Sequence, residues 1–492
     1  MRVPGRRHYS LVAVTATVLY LASAGWPAAA QPSARPPGVP PAVDMSALPT
    51  PASAGAMPYL VNNPATRQIG PVVQQAPCHP QASSGGQNLA AEPPAQRQLR
   101  IREAQRYATG RGQRVAVIDS GVQPHPRLLG RMIDGGDYIE NRTGLFDCDG
   151  HGTTVAGLIA AAPDASSQFV GAAPAAQIVA IRQASTFYSV PLRQLDTGEQ
   201  TRSAMAGDTV SMARAVVRAV QLGATVINIS EAACFPAEPD QVNAPDLQAA
   251  VHYAVEHNAV VVVAAANTSG SCKQNSPGKV TTISSPGWFD SDVLTVAATD
   301  GKGAPADFSI HGPWVDVAAP GTDAVSLAAG RSGLTSGLVD SRGQLRPLDG
   351  TSFAVPYVAG LAALVRERFP HLSARQVMHR IEQTAQHGAH PRRRSQDVGY
   401  GMIDPIAALT AVLPEEGRPQ RDGAAAAAST AQLSGFQAQP RDDRPNRDDR
   451  DNTDHTLPRT VALVGSAAAL LLLGLTLVVV HVVKEHQRHE PG

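Results

Sequence analysis

The sequence predicts an α/β protein built on a doubly wound parallel sheet, with strands layered between flanking helices. Two features of the chain predict it. Short runs rich in β-branched residues are continuously apolar rather than alternating, as strands covered on both faces require. Longer stretches with helical spacing lie between them, and that succession joins parallel strands by crossovers. In chain order, the strand runs are 114–118, 178–181, 225–229, 259–265 and 293–297. Helical spacing covers 209–222 and 247–258, with Gly223 and Asn258 as stops. Sites in such sheets lie beyond the carboxyl ends of the strands, so the chemistry is sought there.

Composition and the two ends place this domain in a longer plan. The 492 residues carry 41 Lys+Arg against 41 Asp+Glu, and a net charge of zero argues against a nucleic-acid partner. With 43 Gly, 40 Pro and 4% aromatic residues, long stretches must be loops and linkers around one large domain. Arg2, Arg6 and Arg7, then an apolar run and Ala28-Ala29-Ala30, read as a signal peptide over residues 1–30. Residues 31–94 are a Pro-rich extension, 95–412 the folded domain, and 413–459 a mixed-charge linker with too few apolar residues to bury a core. Residues 460–483 are almost wholly apolar, and as a helix of 1.5 Å rise they span roughly 35 Å, enough to cross a bilayer. The short tail 484–492 is weakly basic, which places it in the cytoplasm. The expected topology is a single-pass type I membrane protein with its folded domain outside.

Four places carry candidate chemistry. The first strand run ends in Asp119-Ser120-Gly121, which holds a carboxylate rigidly at a strand terminus, although such a tripeptide is also a common turn. His151 stands within Gly150-His151-Gly152-Thr153, where small neighbours leave the imidazole uncovered. Asp147 and Asp149 fit no EF-hand spacing and read as solvated loop residues, so no metal is expected. Ser352 starts a long apolar helix, whose N–H groups and dipole favour developing negative charge; the plainer reading is an N-cap serine. Asn267 follows the 259–265 run and offers a side-chain amide to an oxyanion, or merely completes a turn.

Taken together, Asp119-Ser120-Gly121, His151-Gly152-Thr153-x-Val155-Ala156-Gly157 and Gly350-Thr351-Ser352-x-Ala354-x-Pro356 resemble the three signatures of subtilisin-like serine proteases. The resemblance spans residues 95–412. With the leader, extension, four cysteines and C-terminal span, the whole chain resembles the mycosins, membrane-anchored subtilases of type VII secretion systems in actinobacteria. Two positions depart from the common subtilisin pattern. Ser230-Glu231-Ala232 stands where Ser-Leu-Gly is usual, and Ala265-Ala266 where Ala-Gly is usual.

The resemblance implies acyl transfer without a cofactor: Ser352 as nucleophile, His151 as base, Asp119 as its orienting carboxylate and Asn267 as oxyanion donor. It implies protein substrates and, as partners, the membrane components of a type VII secretion complex. A mainly structural role in that machine, with proteolysis secondary, is the alternative. In an oxidising compartment the four cysteines pair, with three pairings possible. Cys78–Cys148 and Cys234–Cys272 are expected, because the first joins the extension to the loop before His151 and the second ties loops after neighbouring strands. The extension is then expected to wrap the domain rather than to act as a removable inhibitor.

Overall fold

Seven parallel strands form the central sheet: β1 (Arg114–Asp119), β2 (Met132–Asp137), β3 (Gln177–Arg182), β4 (Val226–Ile229), β5 (Val260–Ala264), β6 (Leu294–Thr299) and β7 (Val317–Pro320). Their order across the sheet is β7-β6-β5-β4-β1-β3-β2. The computed structural model describes residues 38–50, 55, 66–68, 71–78, 89–194, 200–237, 244–330, 332–386 and 394–417. The expected signal peptide, most of the linker, the span 460–483 and the tail lie outside the described residues. Among the described residues, no helix is long and apolar enough to cross a membrane.

Strands β4 to β7 are buried along their whole length, the pattern that makes a strand continuously apolar in sequence. Two strands lie outside the runs the sequence predicts. β2 reads Met-Ile-Asp-Gly-Gly-Asp at the sheet edge, with a register shift between Asp134 and Gly136. β7 is a short Val-Ala-Ala-Pro run at the other edge, where the missing proline N–H breaks no ladder. Strand β1 lies between β3 and β4, and the chain runs outward from it to one side before returning to build the other. The reversal opens a crevice at the carboxyl ends of β1 and β4.

Five helices matter here: α1 (His151–Ala160), α2 (Thr209–Gln221), α3 (Pro245–Glu256), α4 (Thr351–Arg368) and α5 (Ala374–Gln383). α1 packs with α4, and α2 with α3. Residues 351–365 of α4 are all buried, so this helix is apolar on every side. Capping boxes start α2 (Asp208 with Ser211) and α5 (Ser373 with Gln376).

A separate antiparallel hairpin, Ser185–Gln194 with Gln200–Ala206, stands beside the sheet and receives two pieces of the extension. Thr66–Gln68 pairs with its first strand, as does Val73–Gln74, and the Gln75 N–H donates to Phe187 O at 2.8 Å. Elsewhere the Gln248 amide donates to Pro41 O at 2.7 Å, and Leu48 packs on the core. Two disulfides close the loops, Cys78–Cys148 across 70 residues and Cys234–Cys272 across 38.

Cys78–Cys148 thus holds the extension on the domain through a long closed loop. Chain entropy gives such a loop up to about 4 kcal/mol. Thermal unfolding of the Cys78→Ser, Cys148→Ser double variant is expected to show a lowered Tm; an unchanged Tm would mean the tie contributes nothing.

Candidate active site

Asp119 is the last residue of β1 and is fully buried. Its Oδ1 lies 2.7 Å from Nδ1 of His151, the first residue of α1. A carboxylate only accepts, so Nδ1 carries the hydrogen and Nε2 remains free to take a proton. The approach depends on Gly152: a Cβ there would stand 2.0 Å from the Gly121 carbonyl oxygen. Ser120 Oγ accepts from the Gly152 N–H at 2.9 Å, which ties the start of α1 to the end of β1.

Asp147 and Asp149, expected as solvated loop residues, are both buried. Asp147 accepts from Ser120 Oγ (2.9 Å), Gly150 N (2.8 Å), Thr153 N (2.8 Å) and Thr153 Oγ1 (2.6 Å). Asp149 accepts from Ser185 Oγ and, at 2.7 Å, from Thr186 N. The loop before His151 closes on itself and on the hairpin, so its carboxylates face inward. Burial, with Asp149 and Asp119 nearby, pushes the Asp147 carboxyl up to about 7 against the pull of its Thr153 hydrogen bonds.

Ser352 sits in the first turn of α4. Pro356, four residues on, has no N–H to give the Ser352 carbonyl, which would be an orphan in a buried helix. Ser230, just past β4, fills the place: its hydroxyl donates to Ser352 O at 3.0 Å and accepts from Asn228 Nδ2 at 2.9 Å. This support escaped the sequence reading. The signal was there, in a proline one turn inside an apolar helix.

Asn267 follows β5, and its Oδ1 accepts from Thr351 N (2.9 Å) and Thr351 Oγ1 (3.0 Å). Those two bonds orient the amide and leave Nδ2 on the other side. A Cβ on Gly350 would lie 3.0 Å from Ser352 Oγ and 3.2 Å from Asn267 Nδ2, so hydroxyl and amide border the same small space.

His151, Ser352 and Asn267 all line one cleft of about 410 Å³, with Asp119 buried behind His151. Ser185–Phe187 of the hairpin form one part of its lining, and Leu338 to Asp340 with Arg346 and Pro347 another. Glu231 also lines it, with Oε1 3.9 Å from His151 Nδ1. Burial works against the imidazolium, but Asp119, by charge and hydrogen bond, with Glu231 and Asp147, outweighs it and raises His151 to about 10. Asp119, His151 and Glu231 offer donor atoms within 4.8 Å of one another. The Asp119–His151 hydrogen bond uses Asp119 Oδ1 and His151 Nδ1. A helix-start hydroxyl, an imidazole with an aligned carboxylate and a nearby amide are the groups that acyl transfer uses.

Ala266, directly before Asn267, has φ +80°, a backbone region costly for a residue with a Cβ. Its neighbours hold it there: Ala265 N donates to Val296 O and Ile310 N to Ala266 O, both at 3.0 Å. Ala266→Gly removes about 1–2 kcal/mol of strain and adds a smaller unfolded-state entropy. The expected outcome is a gain of about 0.5–1 kcal/mol in chemical unfolding; a loss of stability would show that the position carries no strain.

Comparison with known proteins agrees with this geometry. Residues 110–401 match the Subtilase family of peptidases. Mycosin-3 of Mycobacterium tuberculosis (strain ATCC 25618 / H37Rv) is 38% identical over 472 residues, covering 92% of this chain and 94% of that protein. The crystal structure of MycP1 from Mycobacterium smegmatis superposes with a TM-score of 0.67 at 38% identity, over 78% of this chain and 98% of that one. A chain in the structure of an intact ESX-5 inner membrane complex gives 0.66 at 35% identity, over 90% and 99%. The chain belongs to the subtilase family, in its mycosin group, and is a serine protease.

Proposed function

We propose that this protease is an extracytoplasmic endopeptidase that works within a type VII secretion system, with Ser352, His151 and Asp119 as its triad. The observation that carries the triad is the 2.7 Å contact of Asp119 with His151 Nδ1, beside a cleft that holds Ser352. Ser352 Oγ attacks a peptide carbonyl while its proton passes to His151 Nε2, which later returns it to the leaving amine. Asp119 keeps Nδ1 protonated and stabilises the imidazolium without itself taking the proton. The Ser352 N–H and Asn267 Nδ2 receive the oxyanion. The groups present complete this cycle without a cofactor.

The proposed layout has a leader at 1–30, an extension at 31–94 on the peptidase domain 95–412, a linker at 413–459, a membrane helix at 460–483 and a cytoplasmic tail at 484–492. Its substrates are proteins, and its partners are the membrane components of the secretion complex. Support for the setting comes from the relative found in an ESX-5 inner membrane complex. That same relative favours a second reading, a scaffold role in the machine that does not need cleavage.

Two experiments separate these points. Asn267→Ala is expected to lower kcat by about 10²–10³ with KM nearly unchanged, because its contact forms mainly in the transition state. Steady-state kinetics on a cleavable peptide, with circular dichroism for folding, checks this; wild-type kcat would place the oxyanion donor elsewhere. In cells, secretion after Ser352→Ala is compared with secretion after deletion of the chain. Equal loss supports proteolysis as the essential role, and preserved secretion with the inert chain supports the scaffold.

A further inference from the structure

Four carboxylates lie near enough to the His151 imidazole to act on it by charge, and three of them have other work. Asp119 at the end of β1 also accepts the Ser120 N–H at 2.7 Å, Asp147 holds four donors, and Asp149 holds Ser185 and Thr186. The fourth, Glu231, stands two residues past β4, and among the described residues its one polar partner is His151. From α4 the cleft receives Ser352 and Phe353, neither of them charged. From the hairpin Gly337–Val339 with Leu345–Pro347 it receives Asp340 and Arg346, paired with one another at 3.2 Å. Asp349, before α4, also lines it and accepts from the Asp323 N–H.

At 3.9 Å the Glu231–His151 contact is too long for a hydrogen bond, yet well inside the range at which a charge moves a titration. It falls on Nδ1, the nitrogen already bonded to Asp119. We propose that Glu231 is a positioning residue for His151: its carboxylate puts a second negative charge at the Nδ1 edge and moves the working range of the protease to alkaline pH. This rests on the reading of His151 as the base.

The direction follows from which form of the ring works. A negative neighbour favours the imidazolium, so the ring gives up its proton only at higher pH. Only the neutral ring accepts the Ser352 proton, so kcat/KM rises along an acidic limb that lies higher with Glu231 than without it. Burial and the charges of Asp119 and Asp149 raise Glu231 itself to about 7, while His151 opposes them. Glu231 is therefore ionised over the alkaline range in which His151 loses its proton. The side chain keeps 38% of its surface accessible, so solvent screens the effect and about one pH unit is expected of it.

The test compares pH profiles of kcat/KM for the full-length protein in detergent with those of Glu231→Gln and Glu231→Asp. Glu231→Gln is expected to bring the acidic limb down by about one pH unit, making the enzyme about tenfold faster below the wild-type limb. Glu231→Asp is expected to restore part of the shift. A Gln variant whose limb coincides with the wild type overturns the proposal. A second measurement needs no activity: the ¹⁵N-histidine NMR titration of His151 in Ser352→Ala, with and without Glu231→Gln. A lower titration in the double variant supports the contact even if the chain cleaves nothing, which would fault the base assignment instead. An unmoved titration overturns the proposal whatever the rates show.

Discussion

A buried carboxylate at the switch point of the sheet is the constraint on which the site depends. Asp119 ends β1 where the chain has reversed direction across the sheet, and it is fully out of solvent. A charge in that place must be hydrogen-bonded or it would be neutralised. The donors come from Ser120 and His151, so the loop that carries His151 has to return to the end of β1. Ser120 and Asp147 fasten that return, and Gly152 permits it because no Cβ fits against the Gly121 carbonyl.

The other half of the site answers to the interior of α4. A helix buried on all sides has no water for its open carbonyls, and Pro356 leaves one open at Ser352. Ser230 reaches across from β4 to meet it, and Asn267 reaches from β5 to Thr351 in the same turn. Two neighbouring strands therefore set where the first turn of α4 stands. Since β1 sets His151 and adjoins β4, the sheet register relates imidazole to hydroxyl. The strained Ala266 belongs to the same economy of placement: its backbone is pinned on both sides, which aims the next side chain at α4.

The wall of the cleft is built from farther away. Ser185 to Phe187 belong to a hairpin outside the main sheet, and that hairpin is paired by pieces of the extension. Cys78–Cys148 links those pieces to the loop before His151. Arg182, fully buried at the end of β3, lies 5.0 Å from the Phe146 ring and 4.6 Å from Tyr188, between that loop and the hairpin. Its ion pairs with Asp137 and Glu140 at 2.9 Å satisfy the charge. The extension thus contributes to the shape of the cleft through its pairing with the hairpin.

The sequence by itself determined the layered α/β architecture, because strands covered on both faces are predominantly apolar, as β4, β5 and β6 are apart from Asn228, Thr295 and Thr299. It also determined which strand and helix ends carry reactive groups, since Asp119, His151, Ser352 and Asn267 each stand at such an end. It could not determine β2, whose edge position releases it from continuous apolarity, or the hairpin, whose first strand pairs with segments far off in the chain. Nor could it determine what Asp147, Asp149, Ser230 and Glu231 do. An aspartate in a polar loop has the same local spelling whether the loop meets water or folds back on a sheet. Only the closing of the loop buried Asp147 and Asp149, and only the pairing of β1 with β4 brought Ser230 under α4 and Glu231 beside His151. The Ser230 and Glu231 contacts join residues about eighty or more positions apart, and Asp149 reaches Ser185 across 36, distances that tertiary packing alone closes.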